Sequence, residues 1–168
     1  MNKNDPVYFI EVNSPVGRLT LTSDDHYLTG LYFSQNEVAL KGAVRRKTEI
    51  LKKTESQLKA YFAGQLKSFN LAMKIDGTGF QVSVWNELKK IKMGELRSYS
   101  EHAIELKKPK AVRAVGSAIG KNPIGIIIPC HRVIAKSGGL GGFGGGLKAK
   151  KWLLNHEGHR EIRGDQND

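Results

Sequence analysis

The sequence predicts an α/β protein with a small N-terminal antiparallel sheet plus a helix, followed by a mainly helical C-terminal part. Three short apolar segments separated by turn residues occupy the first 33 positions, whereas beyond position 79 apolar residues recur every three or four positions. With 168 residues, the chain is long enough for one domain or two small ones. Chain-breaking residues at 76–79 mark the boundary, so we expect domains at 1–76 and 77–168.

The N-terminal domain begins with a predicted antiparallel meander. Its strands cover residues 7–12, 17–22 and 27–33, with turn-forming residues between them. A helix over about 49–63 follows, because apolar side chains recur on one face and the pattern ends at a glycine. A short strand near 69–75 completes the domain.

The C-terminal domain begins with a helix from about Phe80 that ends before Gly94, since its apolar residues share one face. Ser98, followed three positions later by Glu101, forms a capping-box pattern. This pattern predicts a helix over about 99–106.

A second short helix follows, with Pro109 in its first turn and its end near Ile119. Two short helices joined by a tight turn predict a helix-turn-helix, although ordinary helical hairpins share the pattern. The second helix is rich in small residues: Ala111, Ala114, Gly116, Ser117, Ala118 and Gly120. Such a surface allows either close approach to a ligand or tight packing between helices, and the sequence leaves both open.

The end of the chain combines a short apolar strand at 124–129, a glycine-rich loop at 138–146 and a helix at 147–156. The loop matches the dinucleotide-binding pattern G-x-G-x-x-G at 139–144. That pattern requires a βαβ unit of about 30 residues, and only 24 residues follow it. We therefore interpret the glycines as backbone that wraps around a ligand, or as a flexible loop.

The chain is strongly basic, with 27 lysines and arginines against 16 acidic residues and a net charge of +11. Residues 89–151 hold fourteen of the basic residues and three of the acidic ones. This excess favours a polyanionic partner, with nucleic acid first and an anionic membrane surface second. No apolar run is long enough to span a membrane, and the first residues lack the apolar core of a signal peptide. We therefore expect a cytoplasmic protein.

Cys130 is the single cysteine, which excludes an internal disulfide and a multi-thiolate metal site. His131 and Arg132 follow it, and an imidazole or a cation can activate a thiol as a nucleophile. The sequence leaves open whether the imidazole acts directly or through a water. The carboxylates that could orient it are Glu157 and Glu161. By composition alone, a packed cysteine beside a surface histidine is the favoured explanation of these residues.

A resemblance to a known family narrows these choices. Its residues are Pro129-Cys130-His131-Arg132-Val133, preceded by Asn122-Pro123 and followed by Trp152-Leu153-Leu154-x-His156-Glu157-Gly158. They resemble the methylated-DNA–protein-cysteine methyltransferases, or O6-alkylguanine-DNA alkyltransferases. The resemblance is strong over about 80–159 and loose in the N-terminal part.

This resemblance implies DNA repair by direct, stoichiometric and irreversible alkyl transfer. The alkyl group would pass from O6-alkylguanine, and also from O4-alkylthymine, to the protein's own cysteine. The substrate would be double-stranded DNA, bound through its minor groove by the helix-turn-helix, with the damaged nucleotide flipped out of the stack. It also implies a monomer without a cofactor.

The resemblance further assigns roles to four residues of the catalytic centre. Cys130 would accept the alkyl group, and His131 would remove the thiol proton through a water. Glu157 would hold the imidazole, and the Asn122 side chain would brace the site.

The resemblance places five more residues around the flipped nucleotide. Tyr99 would help to rotate it out of the duplex, and Arg113 would fill the space it leaves. The backbone of Val133 would meet the exocyclic amine of guanine, and the N–H of Gly144 would meet O6. Many relatives carry a tyrosine and then a hydroxyl residue where this chain has Phe143 and Gly144, so we expect an altered substrate range or rate.

Further residues would contact the DNA itself: Ser100, Lys110, Ala111, Lys121, Arg132 and Lys136. Some relatives bind zinc in the N-terminal domain, but this chain has no cysteine there and only His26. We therefore expect no metal. The sequence leaves open whether the basic segment 41–53 touches DNA.

Three alternatives remain at this stage. A non-catalytic binder of alkylated DNA is disfavoured by Cys130, because alkyltransferase-like proteins typically carry tryptophan at this position. A Cys-His hydrolase would need an oxyanion hole and turnover. In a plain helix-turn-helix regulator, Cys130 would be incidental.

Overall fold

The N-terminal residues form a four-stranded sheet in this computed structural model, which describes residues 5–160 and residue 162. The strands are β1 (Tyr8–Val12), β2 (Leu19–Ser23), β3 (Leu28–Phe33) and β4 (Val44–Arg45), in the spatial order β3-β2-β1-β4. The first three form the expected antiparallel meander, with Tyr8 opposite Ser23 in β1 and β2. The two-residue β4 adds a parallel edge strand that was not expected, because two residues are too short to show an alternating pattern.

Helix α1 (Glu49–Phe62) packs on the sheet, as expected. The Thr48 hydroxyl caps its first turn by accepting from the Leu51 N–H. The strand expected near 69–75 is wrong. Only Met73 makes a β-bridge there, to Leu28, because the alternating apolar side chains of this segment pack against the core instead of lining a paired strand.

The C-terminal helices are α2 (Gly79–Leu88), α3 (Tyr99–Glu105) and α4 (Val112–Gly120), and between the first two lies β5 (Arg97–Ser98). The capping box at Ser98 and Glu101 is present as expected. Helix α4 begins three residues later than predicted, because Pro109 lies in the turn between the helices. Both α2 and α3 pack against α4.

The apolar segment 124–129 is not a strand, contrary to expectation. Its residues form consecutive turns, in which the Ile128 N–H donates to the Ile124 carbonyl. Ile124 also forms an isolated bridge to Leu31 of β3, so the segment joins the sheet to the C-terminal part. All five residues from Ile124 to Ile128 are buried, which explains their apolar character without a strand.

The chain then forms a 3-10 turn (Cys130–Arg132), strand β6 (Val133–Ile134), the glycine-rich loop and helix α5 (Leu147–His156). Strand β6 pairs in parallel with β5. One continuous core of buried side chains includes residues from both halves of the chain. In the part of the chain that the structure describes, no helix has the length and apolarity to span a membrane.

Candidate active site

Cys130 lies at the start of the 3-10 turn, where a tight backbone reversal places it. Ile126 adopts a positive φ of 67°, a conformation that is strained for a β-branched residue. Asn122 braces this reversal at both ends: its side-chain NH2 donates to the Ile128 carbonyl at 2.8 Å and its side-chain oxygen accepts from the Ile124 N–H at 3.0 Å. The amide that was expected to support the turn therefore does contact it on both sides.

The Cys130 thiol is almost fully buried, and this burial raises its pKa. Four groups act in the opposite direction: the Asn122 side chain, the charge of Lys150, and the backbone N–H groups of Cys130 and His131. We had expected Arg132 to be the cation that acts on the thiol, but that cation is Lys150. Since burial is the largest effect, the thiol needs a base to take its proton.

His131 provides an imidazole that is held from one side. Its Nε2 donates to the Glu157 carboxylate at 2.8 Å, and both side chains are fully buried. Its Nδ1 is buried and has no hydrogen-bond partner among residues 5–160 and 162. Burial lowers the pKa of His131, so the ring is neutral at neutral pH and Nδ1 carries the lone pair. Glu161, the other carboxylate considered from the sequence, lies outside the described residues.

The expectation that Arg132 contacts DNA is wrong, because its side chain is not available. Its guanidinium is buried and forms two hydrogen bonds with the Glu157 carboxylate, at 2.8 and 2.9 Å. A third hydrogen bond goes to the Ile91 carbonyl at 2.6 Å. An arginine that is fully paired with a buried carboxylate cannot also bind a phosphate without breaking that pair.

A cavity of about 680 Å³ opens beside the thiol. Its wall includes five residues assigned from the sequence to the catalytic centre, the nucleotide or the DNA: Tyr99, Lys121, Asn122, Phe143 and Gly144. Cys130 also lines it, so the structure brings these residues together around one volume. Such a volume lies within the range of small-molecule sites.

Two glycines bring Tyr99 close to the backbone. A side chain at Gly116 of α4 would lie 3.6 Å from the tyrosine ring, and one at Gly141 would lie 2.9 Å from it. Gly141 also has a positive φ of 69°. The Tyr99 hydroxyl donates to the Gly142 carbonyl at 3.3 Å. These contacts hold the ring between α4 and the glycine-rich loop.

The small residues of α4 are divided between its inward side and its exposed side. Gly116 and Ala118 face inward, and the Ala118 carbonyl accepts from the Trp85 indole at 2.8 Å. Ala111, Ala114 and Ser117 instead line a shallow surface depression together with Lys110 and Arg113.

The glycine-rich loop is attached to the N-terminal half by contacts that the sequence did not reveal. Gln35 donates to the Gly145 carbonyl at 2.6 Å, and Asn36 donates to the Gly144 carbonyl at 2.9 Å. Both polar residues also line the cavity. The loop is thus a fixed wall of the cavity, built from both halves of the chain.

The remaining residues assigned to DNA lie at the surface. Lys110, Arg113, Lys121 and Lys136 are exposed, and Ser100 and Ala111 are half-buried. Val133 differs from these: it is fully buried, and its carbonyl accepts from the Lys150 ammonium at 2.6 Å. Its backbone is therefore already engaged by a cation and does not line the cavity.

The basic segment 41–53 is largely paired within the protein. Arg45 binds Glu11 at 2.7 Å, Lys47 binds Glu55 at 2.7 Å, and Arg46 lies over the Tyr8 ring. Within the described residues, no group of three or more histidine, cysteine, aspartate or glutamate side chains could hold a metal ion.

Two residues that act on the candidate site were missed from the sequence. The Tyr61 ring is buried on the apolar face of α1, but its hydroxyl also donates to Glu157 at 2.8 Å. Lys150 is fully buried in α5. Its burial could have been predicted from its position on the apolar face of the helix, since it lies three residues before Leu153 and four before Leu154.

Comparison with known proteins gives one consistent result. The family model described as the DNA-binding domain of 6-O-methylguanine DNA methyltransferase matches residues 79–159, and that of its ribonuclease-like domain matches residues 7–75. A methylated-DNA–protein-cysteine methyltransferase of Haemophilus influenzae is 43% identical over 154 residues, covering 90% of this chain and 86% of that protein. One from Methanosarcina acetivorans is also 43% identical, covering 90% and 99%.

Solved structures agree with these relatives. The structure of Mycobacterium tuberculosis OGT in complex with DNA has a TM-score of 0.84 and 42% identity, and the match covers 89% of this chain and 92% of that one. The chain therefore belongs to the 6-O-methylguanine DNA methyltransferase family.

Proposed function

We propose that this protein repairs double-stranded DNA by moving the alkyl group of O6-alkylguanine onto the sulfur of Cys130. One observation carries the proposal: the single cysteine lines a cavity, and the next residue, His131, is buried and hydrogen-bonded to the Glu157 carboxylate. The relatives are named methylated-DNA–protein-cysteine methyltransferases. Since the product at Cys130 would be a thioether, whose S–C bond water does not cleave under ordinary conditions, each molecule acts once.

The residues support a simple course for the transfer. His131 Nδ1 takes the thiol proton through a water, and Glu157 stabilises the resulting imidazolium. The thiolate then attacks the alkyl carbon in line, so the S–C bond forms as the C–O6 bond breaks. The electron pair of the broken bond stays on the base, and the resulting anion takes up the proton carried by His131, through water, and becomes guanine. Asn122 and Lys150 stabilise the thiolate before the attack.

The exposed face of α4 is the proposed contact with the minor groove. Its small residues allow close approach, and Arg113 projects from the same face, where it would fill the space left by the flipped nucleotide. Among the described residues, no hydrogen bond or ion pair engages the Arg113 guanidinium. Lys110, Lys121 and Lys136, which are exposed, and the half-buried Ser100 and Ala111 would position the backbone of the DNA.

Tyr99, Phe143 and Gly144 would surround the flipped base, because they share the cavity with Cys130. Phe143 packs edge-on against Phe33 at 5.2 Å and offers no hydroxyl. We therefore propose a substrate range or rate that differs from relatives with hydroxyl residues here. We also propose O4-alkylthymine as a second substrate. The protein would act as a monomer in the cytoplasm and without a cofactor. Its domains would be residues 1–76 and 77–168.

The test is to digest a duplex containing O6-methylguanine after incubation with the protein and to quantify the nucleosides. Wild-type protein should convert the lesion to guanine, up to one equivalent. The Cys130→Ala variant should bind the duplex but leave the lesion intact. Repair by Cys130→Ala, or release of methanol with turnover, would contradict the proposal; the second result would favour a hydrolase.

A further inference from the structure

The Glu157 carboxylate is shared by more groups than the thiol-to-histidine relay requires. It accepts four hydrogen bonds from described residues: one from His131, two from Arg132 and one from Tyr61. His131 and Arg132 belong to the 3-10 turn beside the thiol. Tyr61 comes from α1 and is 96 residues away in the sequence. Through this hydroxyl, the N-terminal half of the chain contacts the residues proposed to accept the thiol proton.

We propose that Tyr61 is a positioning residue for alkyl transfer: its hydroxyl holds the Glu157 carboxylate and limits how strongly that carboxylate retains a proton on His131. The inference rests on the proposed function, because it concerns the base that would take the Cys130 proton. It assigns to the N-terminal half a direct part in tuning the catalytic base.

The Tyr61 hydroxyl is fixed in this position by packing. The side chain is 1% exposed, and its ring lies edge-on against Phe62 at 5.2 Å and His156 at 5.1 Å. The His156 ring also donates to the Tyr61 carbonyl at 2.7 Å. Because the ring cannot swing towards solvent, the hydroxyl has the Glu157 oxygen at 2.8 Å as its partner. Burial and the neighbouring carboxylate raise the pKa of Tyr61, so it stays a donor across the working pH range.

The charges around Glu157 set the direction of the effect. Arg132 and His131 face it from the 3-10 turn and Tyr61 faces it from α1, while Lys150 of α5 acts on His131. Burial raises the pKa of Glu157, but the hydrogen bonds and charges of His131 and Arg132 outweigh it and hold that pKa well below its usual range. Loss of the Tyr61 hydroxyl leaves the carboxylate with one donor fewer, so it attracts the His131 proton more strongly. The pKa of His131 then rises, and the neutral imidazole that accepts the thiol proton forms only at higher pH.

The experiment measures the single-turnover rate of transfer from an O6-methylguanine duplex against pH. Tyr61→Phe keeps the ring and removes the hydroxyl. We expect the midpoint of its acid limb to rise by about one pH unit, which makes transfer about tenfold slower on that limb, with a plateau close to that of the wild type. Leu58→Val is the matched control, because Leu58 is buried in the same helix and its aliphatic side chain cannot donate a hydrogen bond to Glu157. Its midpoint should not move, even if it unfolds at lower temperature.

A titration of the His131 ring by NMR completes the test. The pKa of His131 should rise in Tyr61→Phe and stay unchanged in Leu58→Val. Superimposable profiles and titrations for wild type and Tyr61→Phe would overturn the inference and leave Tyr61 a purely structural residue. If the wild type transfers no alkyl group, the proposed function fails, while the NMR titration still decides whether Tyr61 tunes His131.

Discussion

Replacement of Arg132 by methionine distinguishes a structural arginine from a DNA-binding one. The methionine fills a similar length of buried space but removes the guanidinium from Glu157 and from the Ile91 carbonyl. Of the hydrogen bonds that Glu157 makes with described residues, those with His131 and Tyr61 would remain. The buried carboxylate would then have lost the guanidinium, a partner that is always positively charged.

The magnitude follows from the burial of both partners. The Arg132 side chain is 8% exposed and the Glu157 side chain is fully buried. Removal of one partner from such a pair costs about 3–5 kcal/mol. Domains of ordinary stability unfold with about 5–15 kcal/mol, so this loss would remove a large share of the free energy of unfolding. The effect should appear as a clearly lower midpoint in urea.

The assay pairs urea unfolding with DNA binding at several salt concentrations. Lys136→Met is the matched control, because Lys136 is exposed. It should leave stability within about 0.5 kcal/mol of the wild type and reduce the slope of log affinity against log salt by about one. Arg132→Met, studied where it is folded, should keep the wild-type slope. An Arg132→Met protein that is as stable as the wild type but has a reduced slope would refute the reasoning.

Three further predictions follow from the same contacts. Lys150→Met removes a charge that lowers the pKa of the Cys130 thiol, so alkyl transfer at pH 7 should slow by about tenfold; an unchanged single-turnover rate would contradict this role. Neutralising Arg45 and Arg46 together should leave the salt slope of DNA binding unchanged, because one is paired within the protein and the other stacks on a ring; a slope reduced by about two would show that this segment touches DNA. Burial lowers the pKa of His102, so the unfolded chain binds more protons than the folded one as the pH falls. The free energy of unfolding should therefore have its full value above pH 6.5 and decrease below it. His102→Gln should flatten that fall in urea titrations, and an equally steep fall would exclude His102 as its source.

The parts of the fold that the sequence predicted correctly are those fixed by local patterns. The three antiparallel strands follow from alternating apolar residues, and α1 from its one-sided apolar face. The start of α3 follows from the capping box of Ser98 and Glu101, which involves only residues three positions apart. The cysteine–histidine motif likewise placed both residues in one turn, because they are adjacent in sequence, and their catalytic roles stay a prediction.

The features that could not be predicted depend on partners far away in the chain. Residues 124–129 look like a buried strand, since turns and strands are equally apolar once they are fully buried. Arg132 looked free because its partner Glu157 lies 25 residues away, and an arginine in a basic chain is usually exposed. The hydroxyl of Tyr61 meets Glu157 across 96 residues, a contact that no local pattern encodes.

If Cys130 itself keeps the alkyl group, the intact protein must become heavier during repair. The protein is mixed with a slight excess of a duplex that carries one O6-methylguanine. We expect a gain of one methylene per molecule, which saturates at one and maps to the peptide that contains Cys130. An unchanged mass with intact binding to the lesion would exclude transfer to Cys130 and indicate a protein that recognises the damage without removing it.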